Sequence, residues 1–527
     1  MAQRRHNFIS GAAVLALAVA VTKVLGALYK IPLGNLLDKE GMAHFYAAYN
    51  IYNLLLVLST AGLPLALSRL VSRAAAQGRL NAQRRIFRTA LALLAVIGAV
   101  CSAVMCLFPQ VLSGLLHDSL AAPAIRTLGP AVLFVCLTSA IRGYTQGLGD
   151  MTPTAVSQMT ESAGKLVIGL ALCLVLLHRG ADSSLCAAGA IAGVTAGSLL
   201  SLTVLTVFLL RRRDRASVDV PPARSAVLRE LLTAGIPITL GAAGMSLITL
   251  LDQALVMSTL QNTLGYTEAA ATALYGEYTF GMTLFALPPS FIYPVTVSLV
   301  PDISAALARG DRPAAGRSAA AALKLTTLIA LPTGAGLSVL AGPILRLLYP
   351  AVPDTAAAAA YHLTILGITC IFVCLMVATN GVLQAYGKEY IPVVTLLCGG
   401  ILKIITNYLM VGDPATNVRG APVSTLYCYG LIVVLNLIAI ARCVPERPSY
   451  LRLFARPVLI TAVMALAARS SYGLLSRSLP ERWAVLPAIA VAVVVYGVLV
   501  LALGAVTRQD VLDLPKGEKI ARMLHLH

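Results

Sequence analysis

Charge is scarce in this chain. Charged residues fill 12% of its 527 positions, hydrophobic residues fill 58%, and the mean hydropathy is +0.83. A water-soluble chain of this size needs far more polar surface, so a soluble globular protein is excluded. Tryptophan occurs once, and aromatic residues make up only 6%. The net charge of +18 therefore has few aromatics around it that could stack on bases. The basic residues fall between apolar runs and not in an arm, so no nucleic acid is expected as a partner. The ten cysteines lie mostly inside apolar runs, with Cys101/Cys106 and Cys370/Cys374 the closest pairs and no CxxC. Neither a zinc site nor a disulfide framework is indicated, and they read as small hydrophobes. The seven histidines make no HExxH. No metal and no cofactor is expected. A DxD motif and a large extramembrane loop are both missing, which weighs against an integral-membrane glycosyltransferase, the alternative of another class. The chain is expected not to be an enzyme.

What the chain has instead is long apolar runs. A stretch of about 20 apolar residues crosses the ~30 Å hydrocarbon core as a helix, because every backbone group in lipid must be bonded internally. Fourteen such runs are expected, at 8–29, 43–67, 87–108, 124–147, 155–177, 184–210, 231–259, 273–299, 318–340, 357–385, 391–411, 419–441, 455–475 and 484–506. The start, with Arg4 and Arg5 before an apolar run, imitates a signal peptide. The run continues to Leu28, so a retained first helix is expected. The fold class is all-α and polytopic.

An even number of spans puts both termini on one side. With that side cytoplasmic, 26 of the 40 Lys and Arg lie in inner segments and seven in outer ones. The bias matches the positive-inside rule and places both ends in the cytoplasm.

The chain also resembles itself. "RGYTQGLGD" at 142–150 matches "NGVLQAYGK" at 380–388 with a shift of 238, and the same shift carries Lys165 onto Lys403. "SRAAAQGRLNAQRR" at 72–85 matches "SAALARGDRPAAGR" at 304–317 with a shift of 232. Two parallel six-helix lobes follow, residues 1–230 and 231–442, with helices 13–14 and a cytoplasmic tail in 443–527. Parallel repeats about an axis along the membrane normal are a transporter plan, with the substrate near the midplane.

Ionisable residues inside the runs mark candidate function, because a charge at the bilayer centre costs ~2.5–3.5 kcal/mol on insertion scales. At 1.5 Å per residue, Lys165 lies about 15 Å into its helix, near the midplane, and Lys403 lies at a similar depth. Glu161 stands four residues before Lys165 and can pair with it at helical spacing. The bland alternative is a structural ion pair between helices. Lys403 has Gly399 at the equivalent position, which points to an external anion or a distant carboxylate. Lys23, Asp252 and Glu277 lie in the outer halves of their helices. They form either a cation or proton site or salt bridges closing an outer gate. Arg142 sits near an inner helix end, as a substrate contact or as a snorkelling charge. Lys324 and Arg469 read as structural or interfacial. Gly62 and Pro64 bend the second run, and Pro288, Pro289 and Pro294 break the eighth. Such kinks suit lobes that rock. Gly193 and Gly197 form a GxxxG whose generic reading is packing.

Several stretches together resemble a known family: "TKVLGALYKIPLGNLL", "STAGLPLALSRLVSRAAAQG", "RGYTQG…MTPTAVSQ" and "ALYGEYTFGMTLFALPPSFIYPVTVSLVPDISAA". They resemble the stage V sporulation protein B and lipid II flippase group of the multidrug/oligosaccharidyl-lipid/polysaccharide exporter superfamily. The resemblance covers nearly the whole chain. It implies two six-helix lobes plus helices 13–14, the bacterial cytoplasmic membrane, and alternating access. It also implies a cationic cavity for the pyrophosphate of an undecaprenyl-linked saccharide, and a groove on helices 13–14 for the prenyl tail. Lys23 falls on the family's basic position in helix 1. Where lipid II flippases carry an Arg-Asp pair, this chain has Tyr29-Lys30, which is compatible with the sporulation branch. The expected partner is a lipid-linked oligosaccharide such as lipid II, with coupling to H+, Na+ or the membrane potential. The alternative within the superfamily is a multidrug/cation antiporter.

Overall fold

The computed structural model describes residues 18, 21–22, 24–211, 219–444 and 449–505. Lys23 lies outside the described residues. No strand occurs among them, and twelve of their helices are long and apolar enough to cross a membrane. The protein is a multi-pass membrane protein. Of the fourteen expected spans, 8–29 lies largely outside the described residues. The eighth is broken in two.

The helices in chain order are α1 (residues 24–36), α2 (Lys39–Thr60), α3 (Leu63–Ala76), α4 (Leu80–Leu107), α5 (Pro109–Leu115), α6 (Ala122–Gly147), α7 (Thr152–His178), α8 (Ser183–Arg211) and α9 (Arg224–Ser258). They continue as α10 (Glu268–Phe285), α11 (Leu287–Ala308), α12 (Arg312–Val339), α13 (Ala341–Leu348), α14 (Pro353–Ala385), α15 (Tyr390–Val411), α16 (Gly420–Cys443), α17 (Tyr450–Leu475) and α18 (Glu481–Ala502). Local chemistry sets several ends. Asp38 caps α2 by accepting from the Gly41 amide at 2.7 Å, and Asp311 caps α12 by accepting from Ala314 at 3.0 Å. Both expected breaks occur: α2 gives way to α3 at Ala61–Gly62 with Pro64 in the first turn of α3, and α10 gives way to α11 at Ala286 with Pro288 and Pro289 in the first turn of α11. Proline is tolerated in a first turn, where its missing N–H has no helical partner to lose. Pro294 lies within α11.

The two matched sequence segments fold alike at their turns. Gly149 after α6 and Gly387 after α14 both have positive φ, 84° and 70°. Their amides donate to Gln146 and Gln384 carbonyls, both at 2.9 Å. Gly78 and Gly310 form the second pair, at 69° and 75°. Glycine suits this left-handed helix stop because it has no Cβ to clash.

Packing gathers the described chain into two units. One runs up to Thr279 and includes Asn407–Val418; the other comprises Phe280–Thr406 and the chain from Arg419 on. In the first, α7 and α8 approach closely because glycines remove the side chains between them. A Cβ on Gly193 would stand 2.3 Å from the Gly169 Cα, and one on Gly197 would stand 2.5 Å from the Glu161 carbonyl. The GxxxG therefore fixes the helix that carries Glu161 and Lys165. A buried cluster of Leu67, Ile86, Phe87, Tyr144, Leu205 and Leu231 joins α3, α4, α6, α8 and α9. In the second unit, Ala319, Leu323, Val382 and Ile440 form the core of α12, α14 and α16. Leu340, Met464, Ala468 and Val485 pack α17 and α18 beside it. Elsewhere large apolar side chains point outward, such as Val96, Val100 and Leu107 on α4 and Val493 and Val494 on α18. Water would penalise that surface, and lipid does not.

Candidate functional site

Two lysines of the first unit share an aromatic cage. Lys165 of α7 donates to the Tyr49 hydroxyl at 3.2 Å and lies 4.6 Å from the Tyr49 ring centre and 5.0 Å from that of Tyr29. Lys30 of α1 donates to the Tyr46 hydroxyl at 3.2 Å and lies 4.7 Å and 5.2 Å from the Tyr46 and Tyr49 rings. The cage is itself braced. Phe45 stacks on Tyr49 at 5.7 Å, and the Tyr29 hydroxyl donates to the Ala190 carbonyl at 2.8 Å. Each ammonium–ring contact contributes roughly 0.5–2 kcal/mol where water is excluded. Among the described residues no carboxylate makes an ion pair with either lysine. Both side chains are half-buried. Rings and neutral hydroxyls lower the cost of holding the two charges without cancelling them, so the pair remains able to attract an anion.

The expected first span, 8–29, leaves Lys30 just outside its end, among the seven outer basic residues. Lys30 lies on α1, because the helix continues through "IPLGNL" to residue 36. The tyrosines that receive it stand at positions 46 and 49 of α2, three residues apart on one helix face.

The expected Glu161–Lys165 pair does not form. Glu161 is engaged by Arg142 of α6, whose guanidinium donates to Glu161 Oε2 at 2.9 Å, to Ser157 Oγ at 2.9 Å and to Ser201 Oγ at 3.0 Å. A planar fork with several fixed donors satisfies a carboxylate and two hydroxyls together, which a single ammonium cannot. Arg142 therefore ties α6, α7 and α8 together and does not snorkel.

The outer acids divide. Glu277 pairs with Lys39 at 3.1 Å, joining α10 to the start of α2. Asp252 is buried on α9 and accepts from Asn407 of α15 at 3.1 Å. Lys403, one turn before Asn407, is buried within the other unit and has partners of its own. Sequence reasoning also passed over a buried pair, His44 Nδ1 and Asp118 Oδ1 at 2.7 Å, and a bridge in which Asn50 donates to Gln253 at 2.8 Å. No sequence spacing links these residues. Among the described residues no cluster of His, Cys, Asp and Glu could hold a metal.

The family model for polysaccharide biosynthesis proteins matches residues 8–307, more than half of the chain. The chain belongs to the polysaccharide biosynthesis protein family. The MatE model matches residues 237–409, and the family lies within the multidrug/oligosaccharidyl-lipid/polysaccharide exporter superfamily. Stage V sporulation protein B of Bacillus subtilis is 24% identical over 448 residues, 84% of this chain and 85% of that one. The lipid II flippase MurJ of the same organism is 24% identical over 490 residues, 88% of each. Among solved structures, an inward closed lipid II flippase MurJ shares the fold with TM-score 0.71 at 15% identity, covering 93% of this chain and 98% of that one. Among the described residues, the caged lysines Lys30 and Lys165 meet tyrosines and pair with no carboxylate.

Proposed function

We propose that this family member is a flippase for an undecaprenyl-pyrophosphate-linked saccharide, a peptidoglycan precursor such as lipid II or a close relative. It carries its substrate across the bacterial cytoplasmic membrane by alternating access of two lobes, residues 1–230 and 231–442. Helices in 443–527 hold the prenyl tail, and H+, Na+ or the membrane potential supplies the energy. Gly62, Pro64, Pro288, Pro289 and Pro294 act as hinges. The carrying observation is the pair of caged ammonium groups, Lys30 and Lys165, which among the described residues pair with no carboxylate. A diphosphate cannot cross hydrocarbon unaided, and two ammonium groups offer it charge-assisted hydrogen bonds. Transport, not group transfer, is the work assigned to the site. A cation antiporter would place acids at this position, whereas among the described residues no carboxylate pairs with either lysine.

Vesicles reconstituted with the protein are expected to translocate a fluorescent undecaprenyl-pyrophosphate saccharide and not to export a cationic dye. Dye efflux without lipid translocation would reject the proposal. Both termini and the 68–88 segment are assigned to the cytoplasm by the basic-residue bias. A cysteine at position 80 is therefore expected to resist impermeant reagents in sealed cells. Labelling from outside would overturn that orientation.

A further inference from the structure

The helices α2 and α9 pack against each other, and two contacts bracket a cavity between them. At one, the backbone of Gly62, just past the end of α2, meets α9 so closely that a Cβ there would stand 2.0 Å from the Gly235 carbonyl. At the other, Asn50 Nδ2 donates to Gln253 Oε1 at 2.8 Å. Between these points lies a cavity of about 120 Å³ lined by Asn50, Asn53, Val57, Ser246 and Thr249. Asn50 and Asn53 stand three apart on α2, as do Ser246 and Thr249 on α9, so each pair shares a helix face.

Four of the five lining side chains are polar, Val57 is apolar, and none is charged. Among the described residues Asn53 has no hydrogen-bond partner. Asn50 uses its amide nitrogen on Gln253 and keeps its carbonyl oxygen as an acceptor. Thr249 donates to the Met245 carbonyl at 3.0 Å and so presents lone pairs. Ser246 can donate or accept. Behind them the Gln253 Nε2 is buried without a partner. Groups that both donate and accept match hydroxyls and amides, which do the same. A cation fits poorly, because no carboxylate lines the cavity. At ~30 Å³ each, roughly four waters fill the space, enough for one face of a sugar ring.

Position links this cavity to the anion cage. Tyr49 holds Lys165, and Asn53 stands four residues on, one turn of about 5.4 Å along the same face of α2. In a sugar diphosphate lipid the first sugar is bonded directly to the phosphate, so its ring must lie about that far from the bound anion.

We propose that the cavity between α2 and α9 is a saccharide-binding subsite, which reads the hydroxyl and amide groups of the first sugar while the caged lysines hold the diphosphate. The inference rests on the anion reading of the cage.

The test uses the purified full-length protein and two probes, farnesyl diphosphate and the same lipid carrying one N-acetylglucosamine. The wild type is expected to bind the glycosylated probe about ten-fold more tightly, as two hydrogen bonds would supply. Asn53→Leu and Ser246→Ala should each bring the two affinities within about two-fold, with farnesyl diphosphate binding unchanged. Lys165→Ala should weaken both probes alike. Equal wild-type affinity for the two probes, or equal weakening of both by Asn53→Leu and Ser246→Ala, would overturn the subsite. Selectivity lost in those variants with no effect of Lys165→Ala would uphold the subsite and reject the anion reading. Wild-type protein that binds neither probe would reject both. Size-exclusion profiles identify a misfolded variant, and Ser246→Ala, the smaller change, then decides alone.

Discussion

Replacing Lys165 with alanine is expected to cut lipid translocation sharply while the protein still inserts and remains monodisperse. Lys165 is half-buried and held by tyrosine rings and one hydroxyl, not by an acid. Its removal leaves no opposite charge stranded, so folding should suffer little. A charge-assisted hydrogen bond to a diphosphate is worth about 1.5–3 kcal/mol, so loss of one ammonium should weaken substrate binding by roughly ten- to a hundred-fold. Lys30→Ala should act in the same direction, and the double change should leave no measurable transport. Lys165→Arg should rescue only in part, because the planar guanidinium does not fit a cage shaped around a compact ammonium. Wild-type translocation by the Lys30→Ala/Lys165→Ala protein would remove the lysines from the mechanism.

The Arg142–Glu161 pair is expected to behave in the opposite way, with a large effect on stability. The two side chains are 14% and 26% exposed, and their hydrogen bonds reach three helices. Removing one member leaves a charge without its partner in a poorly solvated place. Arg142→Leu or Glu161→Gln should therefore cost about 3 kcal/mol, the low end for buried pairs because Glu161 keeps some contact with solvent. Thermal unfolding in detergent should report it as a lowered midpoint. The swap Arg142→Glu with Glu161→Arg should recover part of the loss. The swap Glu161→Lys with Lys165→Glu should not, since those two side chains are not paired. A Glu161→Gln protein as stable as the wild type would show that the bridge contributes nothing.

These two outcomes separate charges that hold the helices from charges left open for a ligand. Lys39–Glu277, Asp252–Asn407 and His44–Asp118 belong with the first kind, since each of these side chains already has a partner inside the first unit. The glycines of α7 and α8 serve both. By bringing the two helix backbones into contact, they set Glu161 toward Arg142 and leave Lys165 one turn on, against the tyrosines.

The sequence alone was enough to establish helices, a membrane and a family. Hydropathy is a local property, and lipid forces every apolar run of sufficient length into a helix, so the spans could be read residue by residue. The breaks at Gly62–Pro64 and at Pro288–Pro289 were legible for the same reason, because proline acts on its own backbone. The turns at Gly149 and Gly387 follow from a matching local motif. Partner choice was not legible. Four-residue spacing allowed Glu161 to meet Lys165, yet the carboxylate pairs with Arg142, nineteen positions away, whose donors also satisfy Ser157 and Ser201. Lys30 looked like a loop residue until α1 and α2 were seen to place it over Tyr46 and Tyr49. Nothing near His44 in the sequence announces Asp118. A side-chain pair is settled by which helices pack together and at what rotation, and that depends on contacts between residues distant in the chain. The tertiary structure alone decided that Lys30 and Lys165 meet tyrosines and not a carboxylate.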